Sequence, residues 1–295
     1  MNISNLLRLY EKGIRDFPQI DLRGVDLSRV MLISVDLTAA NLMGINLSRG
    51  FLTKSNLSHA SLNWADLTYA KMSQAQLIET DLTKANLSGA FMVKSSLVRA
   101  KLSGADLSHT NLRSADLSYA NCCGANLQRI NLREANLKGV NFNWANLKEA
   151  RLSSANLQEV SFFGADLSRS FLKDVDLSHA DLEWVNLSEA RLGNSNLEKA
   201  NLKGANLQGA RLRYANLRNA NLSGANLADA NLEGADLTGA ILEKANLQNT
   251  NFSQTNGMTT YLETKAEKSP LVTSSIENSQ DYETSFSLFQ PGFAL

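Results

Sequence analysis

Ala85-Asn86-Leu87-Ser88-Gly89 is one unit of a pattern that fills most of this 295-residue chain. Leucine, or an apolar substitute for it, recurs at every fifth position from Leu22 to Phe252, which makes 47 consecutive sites. A small or β-branched residue, most often Ala, stands two positions before each of these sites. A pattern of this length specifies one long repetitive object, so the function of the chain must lie on its outer surface.

A five-residue period fits neither a regular helix nor a straight strand. On an α-helix, five residues advance the chain by about 500°, so successive leucines would scatter around the axis. On a strand, side chains alternate with period two, so every second leucine would point to the opposite face. Locally, Ala85 and Leu87 can both point inward, with Asn86 pointing outward between them. The two remaining residues must turn the chain, and repetition of this unit gives a solenoid.

The position before each leucine shows how many corners make one coil. This position is usually Asp or Asn. Nearly all of the exceptions fall into two sets, and within each set the members are separated by multiples of twenty residues. The largest set comprises Met31, Phe51, Lys71, Phe91, Arg151, Phe171, Arg191 and Arg211. The three tryptophans, Trp64, Trp144 and Trp184, also share one phase of twenty. Four five-residue sides per turn predict nearly twelve coils, stacked at about 4.8 Å into a rod roughly 55 Å long.

Units of the form A(D/N)LXX, such as Ala205-Asn206-Leu207-Gln208-Gly209, resemble the repeats of the pentapeptide-repeat family. This resemblance implies an all-β solenoid, namely a right-handed quadrilateral β-helix. The opening of the chain is similar to that of cyanobacterial members. We therefore expect three parts: residues 1–19 as an N-terminal cap with a short helix, 20–255 as the β-helix, and 256–295 as a flexible Ser/Thr-rich tail.

Both ends of the chain depart from the repeat. Ile3, Leu6, Leu7 and Tyr10 have helical spacing, which predicts a short helix over residues 3–12 that closes the first coil. The tail is rich in Ser, Thr and Glu and carries a net charge of −3, so we expect it to be disordered for much of its length. Its apolar end leaves three alternatives open: it caps the last coil, it binds a partner, or it stays free.

Composition sets limits on the class of function. Twenty-nine basic and 29 acidic residues cancel, so the overall charge indicates neither nucleic-acid nor membrane binding. The sequence predicts no membrane span and no signal peptide, and hence a cytoplasmic protein. Pro18, Pro270 and Pro291 all lie outside the repeat, as a continuous backbone ladder requires. Cys122 and Cys123 are adjacent, which suits neither a disulfide nor a metal site, and alternation predicts that Cys122 faces the core.

No catalytic residue is predicted. Catalysis needs a concave pocket that holds a nucleophile, a base or a metal, and an interior of leucine and alanine leaves no room for one. His59 and His179 share a column but lie six coils apart, which is about 29 Å. No Walker A, GxGxxG or CxxC motif is present. We expect no enzyme activity, no cofactor and no metal, and we interpret the Asp/Asn column as side chains that bond to turn backbone.

One side of the predicted rod concentrates basic residues. The ten are Lys54, Lys71, Lys94, Arg113, Arg133, Arg151, Lys173, Arg191, Arg211 and Arg213. Three acidic residues oppose them, which gives a net charge of +7, whereas the flanking sides come to −2 and −3 and the opposite side to zero. The same side places Met31, Phe51 and Phe91 outward, as a binding surface does. The alternative is a solvated face on which long side-chain stems cover the sheet.

Two surfaces are candidates for a binding site. The first, for a protein partner, comprises Met31, Phe51, Lys71, Phe91, Arg113, Arg133, Arg151, Phe171, Arg191, Arg211 and Arg213. The second is the column of Trp64, Trp144 and Trp184, in which Gly164 would leave a slot between the last two. Shielding of a corner is the alternative role for these tryptophans.

The leading hypothesis is a non-catalytic regulatory or scaffold protein that binds an unidentified protein partner through one flat side of a rigid rod. Binding of nucleic acid or another polyanion along the basic residues is the second hypothesis. The resemblance supplies a third, because well-known family members mimic DNA and protect DNA gyrase, although such mimicry needs an acidic rod. No membrane partner is expected, and the oligomeric state is left open between a monomer and an end-to-end dimer.

Overall fold

In the part of the chain that the structure describes, the protein forms one helix followed by a solenoid. The computed structural model describes residues 3–257. Helix α1 spans Ile3–Glu11, and the repeats begin directly after it. The predictions for the tail therefore fall, apart from residues 256 and 257, outside the described residues.

Each turn of the solenoid takes twenty residues. Parallel β-bridges pair the residue before each leucine with the residue twenty positions later, in four columns that together run from Asp16 to Asn256. Phe51, for example, pairs with Lys71, and Lys71 pairs with Phe91. The four-sided coil inferred from spacing alone is confirmed.

The extended parts of the coil are shorter than the all-β prediction implies. Within residues 3–257 the pairing positions are isolated bridges, and no longer strand is formed. The reason lies in the repeat length: two of five residues form the turn, so only the residue before each leucine satisfies the bridge pattern toward both neighbouring coils. A typical side still makes three backbone hydrogen bonds to the neighbouring coils, as from the N–H groups of Asn56, Leu57 and His59 to the carbonyls of Val35, Gln76 and Ile78.

Every corner is a tight turn. In the turn from Leu57 to Ala60, the Ala60 N–H donates to the Leu57 carbonyl at 3.1 Å, and His59 has a φ of 60°. A positive φ is unfavourable for residues with a Cβ, so the turn needs support. Asn56 supplies it, because its side-chain oxygen accepts a hydrogen bond from the Ser58 N–H at 3.1 Å. The predicted role of the Asp/Asn column is confirmed.

The interior is a column of apolar side chains. Phe142 and Phe162 are fully buried and stack in consecutive coils, with ring centroids 5.3 Å apart and 8° between the planes. Cys122 is buried as predicted, and burial raises the pKa of its thiol to about 12. Where threonine replaces the inward alanine, its hydroxyl finds a carbonyl: Thr80 donates to Leu57 at 2.8 Å. Ser170 is an exception, because its buried hydroxyl has no hydrogen-bond partner among the described residues. Hydrogen bonds to backbone carbonyls otherwise satisfy the inward polar residues of the described chain.

Helix α1 covers the first coil, as the sequence predicts. Leu6 is fully buried, and Ile3, Leu9 and Tyr10 pack partly against the core. The Tyr10 hydroxyl accepts a hydrogen bond from the Ile33 N–H at 2.9 Å and donates to the Ile33 carbonyl at 3.3 Å. The helix ends at Glu11, and Leu9, which is not part of the predicted stripe, joins the contact.

Candidate functional site

The structure gathers the predicted partner-binding residues on one side of the solenoid. Parallel bridges join eight of them in one column, with Asn111 and Asn131 in the middle: Met31, Phe51, Lys71, Phe91, Arg151, Phe171, Arg191 and Arg211. Arg113, Arg133 and Arg213 each follow this column by two residues. We call the outward residues of this column and of the turn that follows it the basic side.

The basic side has two chemically different halves. Its apolar half lies nearer to helix α1, where Met31, Phe51 and Phe91 are 58%, 41% and 41% exposed. Its basic half lies toward the other end and contains the exposed Arg151, Arg191 and Arg211 together with Arg133 and Lys173. Lys54, Lys71 and Lys94 also lie in the apolar half. The side therefore offers apolar residues flanked by lysines near helix α1 and an arginine-rich surface toward the other end.

Phe171 is less exposed than the other phenylalanines of the column. The guanidinium of Arg191 lies 4.6 Å from the centroid of its ring, a cation–π distance. In the apolar half, the Lys71 ammonium group lies 5.6 Å from the centroid of Phe91. Because Arg191 covers its ring, Phe171 is half-buried. In the predicted binding surface, Phe171 therefore supports Arg191 and is not itself an exposed contact.

All three acidic residues of the basic side form salt bridges. Each acidic residue pairs with a basic neighbour: Arg113 with Glu134 at 2.7 Å, Lys173 with Asp174 at 3.7 Å and Arg213 with Glu233 at 2.6 Å. Hydrogen bonds from Arg113 and Ser114 lower the pKa of Glu134 below its usual value. Seven basic residues form no salt bridge within residues 3–257, namely Lys54, Lys71, Lys94, Arg133, Arg151, Arg191 and Arg211. The net charge of +7 thus corresponds to seven cations without a fixed counter-charge.

Two of the four arginines at a neighbouring corner, Arg129 and Arg169, are paired along the rod. Arg129 contacts Glu149 at 2.7 Å, and Arg169 contacts Glu189 at 2.9 Å, each across twenty residues. These arginines are already neutralised and contribute little to attraction of an anion. The contrast makes the basic side the surface of the described chain on which positive charge is most available.

The tryptophan column is packed differently from the prediction. A Cβ added to Gly164 would lie 2.6 Å from the Trp144 indole, so this ring covers the glycine of the next coil. Trp144 also meets Phe163 edge to face, with centroids 5.2 Å apart. The predicted slot between Trp144 and Trp184 is wrong, because the indole of Trp144 fills it.

This packing recurs and has a signature that the sequence reasoning missed. Five corner aromatics are followed, twenty residues later, by a glycine on which the ring lies: Tyr69 and Gly89, Tyr119 and Gly139, Trp144 and Gly164, Trp184 and Gly204, and Tyr214 and Gly234. Trp64 is different, since the ammonium group of Lys84 lies 4.5 Å from the centroid of its ring. The aromatic–glycine pairing favours corner shielding, although Trp144 keeps 63% of its surface exposed.

A pair of alanine substitutions tests this packing. Gly164 and Gly124 occupy the same corner column, and both have a φ of 64°, but only Gly164 has a ring above it. We expect Gly164→Ala to destabilise the protein by about 1–3 kcal/mol more than Gly124→Ala, because overpacking costs that much while the backbone strain is common to both. Urea unfolding followed by tryptophan fluorescence measures the difference. Equal transition midpoints and unchanged emission of the folded variants would contradict the contact.

Within residues 3–257, no helix is long and apolar enough to cross a membrane. The same residues contain no group of three or more His, Cys, Asp or Glu side chains placed to hold a metal ion. His59 has a carboxylate neighbour, with its Nδ1 3.4 Å from Glu79. Both side chains are about half exposed, so this is a surface contact.

Comparison with known proteins gives the following relatives. The family model for pentapeptide repeats matches in 8 copies, over residues 16–49, 52–83, 80–118, 115–153, 155–194, 186–224 and 215–254. No curated protein is similar enough to count as a match. Among solved structures, HetL, a pentapeptide repeat protein involved in heterocyst differentiation regulation from the cyanobacterium Nostoc sp. strain PCC 7120, is 36% identical, with 85% of this chain and 96% of HetL covered and a TM-score of 0.31.

Two further solved structures are similar. The pentapeptide repeat protein alr5209 from Nostoc is 42% identical over 26% of this chain and 67% of its own, with a TM-score of 0.18. QnrB1, a plasmid-mediated fluoroquinolone resistance protein, is 17% identical over 87% of this chain and 100% of its own, with a TM-score of 0.31.

Proposed function

Because this chain belongs to the pentapeptide-repeat family, we propose that it is a non-catalytic, cytoplasmic regulatory or scaffold protein that binds a protein partner through its basic side. In this proposal the coils wind as the right-handed quadrilateral β-helix of the family. The regulatory part follows the description of HetL, and it rests on sequence identity.

The observation that supports the proposal most is the combination of seven unpaired cations with exposed Met31, Phe51 and Phe91 on one flat side. Aromatic residues and arginines are the side chains that contribute most to protein–protein binding energy. The backbone ladder holds them in fixed register, so little conformational freedom is lost on binding. A partner with an acidic stretch next to an apolar contact would complement this side.

A polyanion is the second candidate ligand. Arg191 and Arg211 stand in consecutive coils, at about the 4.8 Å spacing of paired strands, and cations in such a row suit phosphate groups. The rings of the column are confined to Phe51, Phe91 and the covered Phe171, which is too few for base stacking along the rod. Gyrase protection by DNA mimicry is disfavoured, because this side has the opposite sign of charge to DNA.

Charge reversal of Arg151, Arg191 and Arg211 to glutamate tests the proposal. The wild-type protein is used to capture its partner from a lysate of the source cells, and affinity for the purified partner is then measured by titration. We expect the triple variant to bind at least about 100-fold more weakly, because like charges placed together across an interface cost several kcal/mol. These arginines are exposed, so the fold is expected to persist, which circular dichroism checks.

A matched control changes the same charge elsewhere. Arg29, Lys101 and Lys244 are exposed and lie off the basic side, and their reversal to glutamate is expected to leave binding within about twofold. If both triple variants bind as the wild type does, the basic side is a solvated face. If the captured ligand is nucleic acid whose affinity falls steeply with salt, the polyanion function replaces the protein partner.

A further inference from the structure

The basic side matches the chemistry of the chain's own tail. Residues 277–283 contain Glu277, Asp281 and Glu283 and no basic residue, and the uncharged residues 286–293 that follow contain Phe286, Leu288, Phe289 and Phe293. We propose that this tail segment, residues 277–293, docks along the basic side as an autoinhibitory strap. The inference rests on the proposed function, since it identifies what occupies the binding side when no partner is bound.

The order of the two chemistries is the same in the tail and on the rod. The described chain ends at Gly257, one corner past Asn251, which is the last residue of the basic-side column. A segment that runs back from there toward helix α1 meets the basic half first and the apolar half second. Its acidic residues come first and its phenylalanines second. In this direction the acidic residues meet the arginines and the phenylalanines meet the exposed apolar side chains of the rod.

The distances along the rod agree with the lengths of chain available. Arg151 and Phe91 are three coils apart, which is about 14 Å at the spacing of paired strands. The five residues from Asp281 to Phe286 reach at most about 17 Å. The stretch between Gly257 and Asp281 is 24 residues long and spans up to roughly 80 Å when extended, whereas Arg151 lies five coils, or about 24 Å, from Asn251.

The other sides of the solenoid do not suit the tail segment. The flanking sides carry net charges of −2 and −3, which repel an acidic segment. At the nearest basic corner, Arg129 and Arg169 are already held by Glu149 and Glu189. The seven unpaired cations therefore give the segment one favourable side.

Covalent attachment makes even a weak contact effective. Covalent attachment through a linker of this length gives an effective concentration in the millimolar range, so the tail segment competes with any free partner of ordinary abundance. The apparent affinity of the partner is then reduced in proportion to the fraction of chains whose basic side is uncovered. Partner binding is thereby regulated by whatever releases the tail.

Disulfide trapping in the full chain tests this docking. Cys123→Ser removes the partly exposed thiol, and Cys122 stays buried and unreactive. In this background, Arg151→Cys is combined with Asp281→Cys, and the control combines Asp181→Cys with Asp281→Cys. Asp181 is exposed and faces the opposite side, half a coil from Phe171 and Arg191. It is also nearer to the start of the tail than Arg151, so random collision favours the control.

Under mild oxidation we expect the Arg151→Cys pair to form the intramolecular disulfide at least tenfold faster than the control pair. Adding Glu277→Lys and Glu283→Lys should remove this advantage. Equal rates for the two pairs would overturn the proposal, and so would a disulfide-linked dimer as the main product, which would assign the tail to a second copy. No partner is needed for this readout, so a basic side that binds a partner without holding the tail is recognised as a separate outcome.

Discussion

Replacing Phe142 by alanine is expected to destabilise the protein by about 3–5 kcal/mol, as truncation of a buried phenylalanine does elsewhere. Phe142 is fully buried and stacks on Phe162 of the next coil. The four ladders fix the width of the tube, so the walls have little freedom to collapse into the space that the ring leaves. The cavity and the lost ring contact therefore both remain in the variant.

Two controls separate this cost from a general sensitivity of the repeat. Phe142→Leu introduces the residue found at most equivalent positions, and we expect it to cost less than about 1.5 kcal/mol. Phe252→Ala makes the same chemical change in the last coil, where the ring is only partly buried, and we expect at most about half the cost of Phe142→Ala. Urea unfolding monitored by circular dichroism gives the transition midpoints. A midpoint for Phe142→Ala equal to that for Phe252→Ala would contradict the prediction.

Loss of the Phe142 ring is expected to destabilise the coils around it more than the rest of the solenoid. In a solenoid each coil contacts only its neighbours, so stability is close to a sum over coils and their interfaces. Amide hydrogen exchange should therefore accelerate first in the coils that contain Phe142 and Phe162. Exchange that rises equally at Leu37 and Leu237 would show instead that the rod unfolds as one unit.

The backbone path could be predicted because each position in the repeat has one dominant task. Leucine and alanine mark the interior, and the rare departures from Asp or Asn, such as Phe51 and Phe91, mark one side and so reveal the twenty-residue coil. The bridges between Phe51, Lys71 and Phe91 confirm that register. Even the absence of proline between Pro18 and Pro270 follows from the same ladder.

Side-chain directions could not be predicted from the same pattern. A period of twenty places Trp144 and Trp184 in one column, but it does not show that an αL corner lays the indole of Trp144 over Gly164. The information was present in the aromatic–glycine spacing, which is a relation between coils rather than within one repeat. Sequence reasoning that treats each unit separately misses it.

The charge of the basic side could be predicted, but its pairing could not. Position alone assigns Arg113 and Glu134 to the same side. Only the structure shows that they meet at 2.7 Å and that Arg151 has no salt bridge within residues 3–257. Long side chains select partners through rotamers, which a repeat pattern does not encode. These pairs do not change the predicted net charge of +7. What the structure adds is which of the basic residues in the described chain form no salt bridge.

Replacing Asn126 by proline is expected to cost at least about 3 kcal/mol, the scale of proline in a helix interior. The N–H of Asn126 donates to the Ala105 carbonyl at 2.9 Å, and its carbonyl accepts from Leu107 at 2.7 Å. Proline removes the donor and leaves the Ala105 carbonyl without its partner between two coils. An unsatisfied group of this kind costs about 1–3 kcal/mol before any steric conflict is added.

The side chain of Asn126 contributes separately. Its amide donates to Asp106 at 3.0 Å, and its oxygen accepts from Asn146 at 3.1 Å and from Gln128 at 3.3 Å. Asn126→Ala removes these contacts and keeps the backbone donor, so we expect a smaller cost of about 1 kcal/mol. On another side of the solenoid, phenylalanine, lysine or arginine takes this place in the repeat, as at Phe91 and Arg151, whereas the column of Asn126 has Asp or Asn in every coil from Asp26 to Asn246.

Thermal and urea unfolding of both variants measure the two contributions, with hydrogen exchange at Leu107 and Leu127 as the local readout. If Asn126→Pro and Asn126→Ala unfold at the same midpoint, the side-chain ladder, rather than the backbone donor, holds the coils together. If Asn126→Pro is much less stable, the backbone hydrogen bonds between coils are what joins them. A rod joined in this way keeps its sides flat and in register, and a binding surface that extends over many coils depends on both properties.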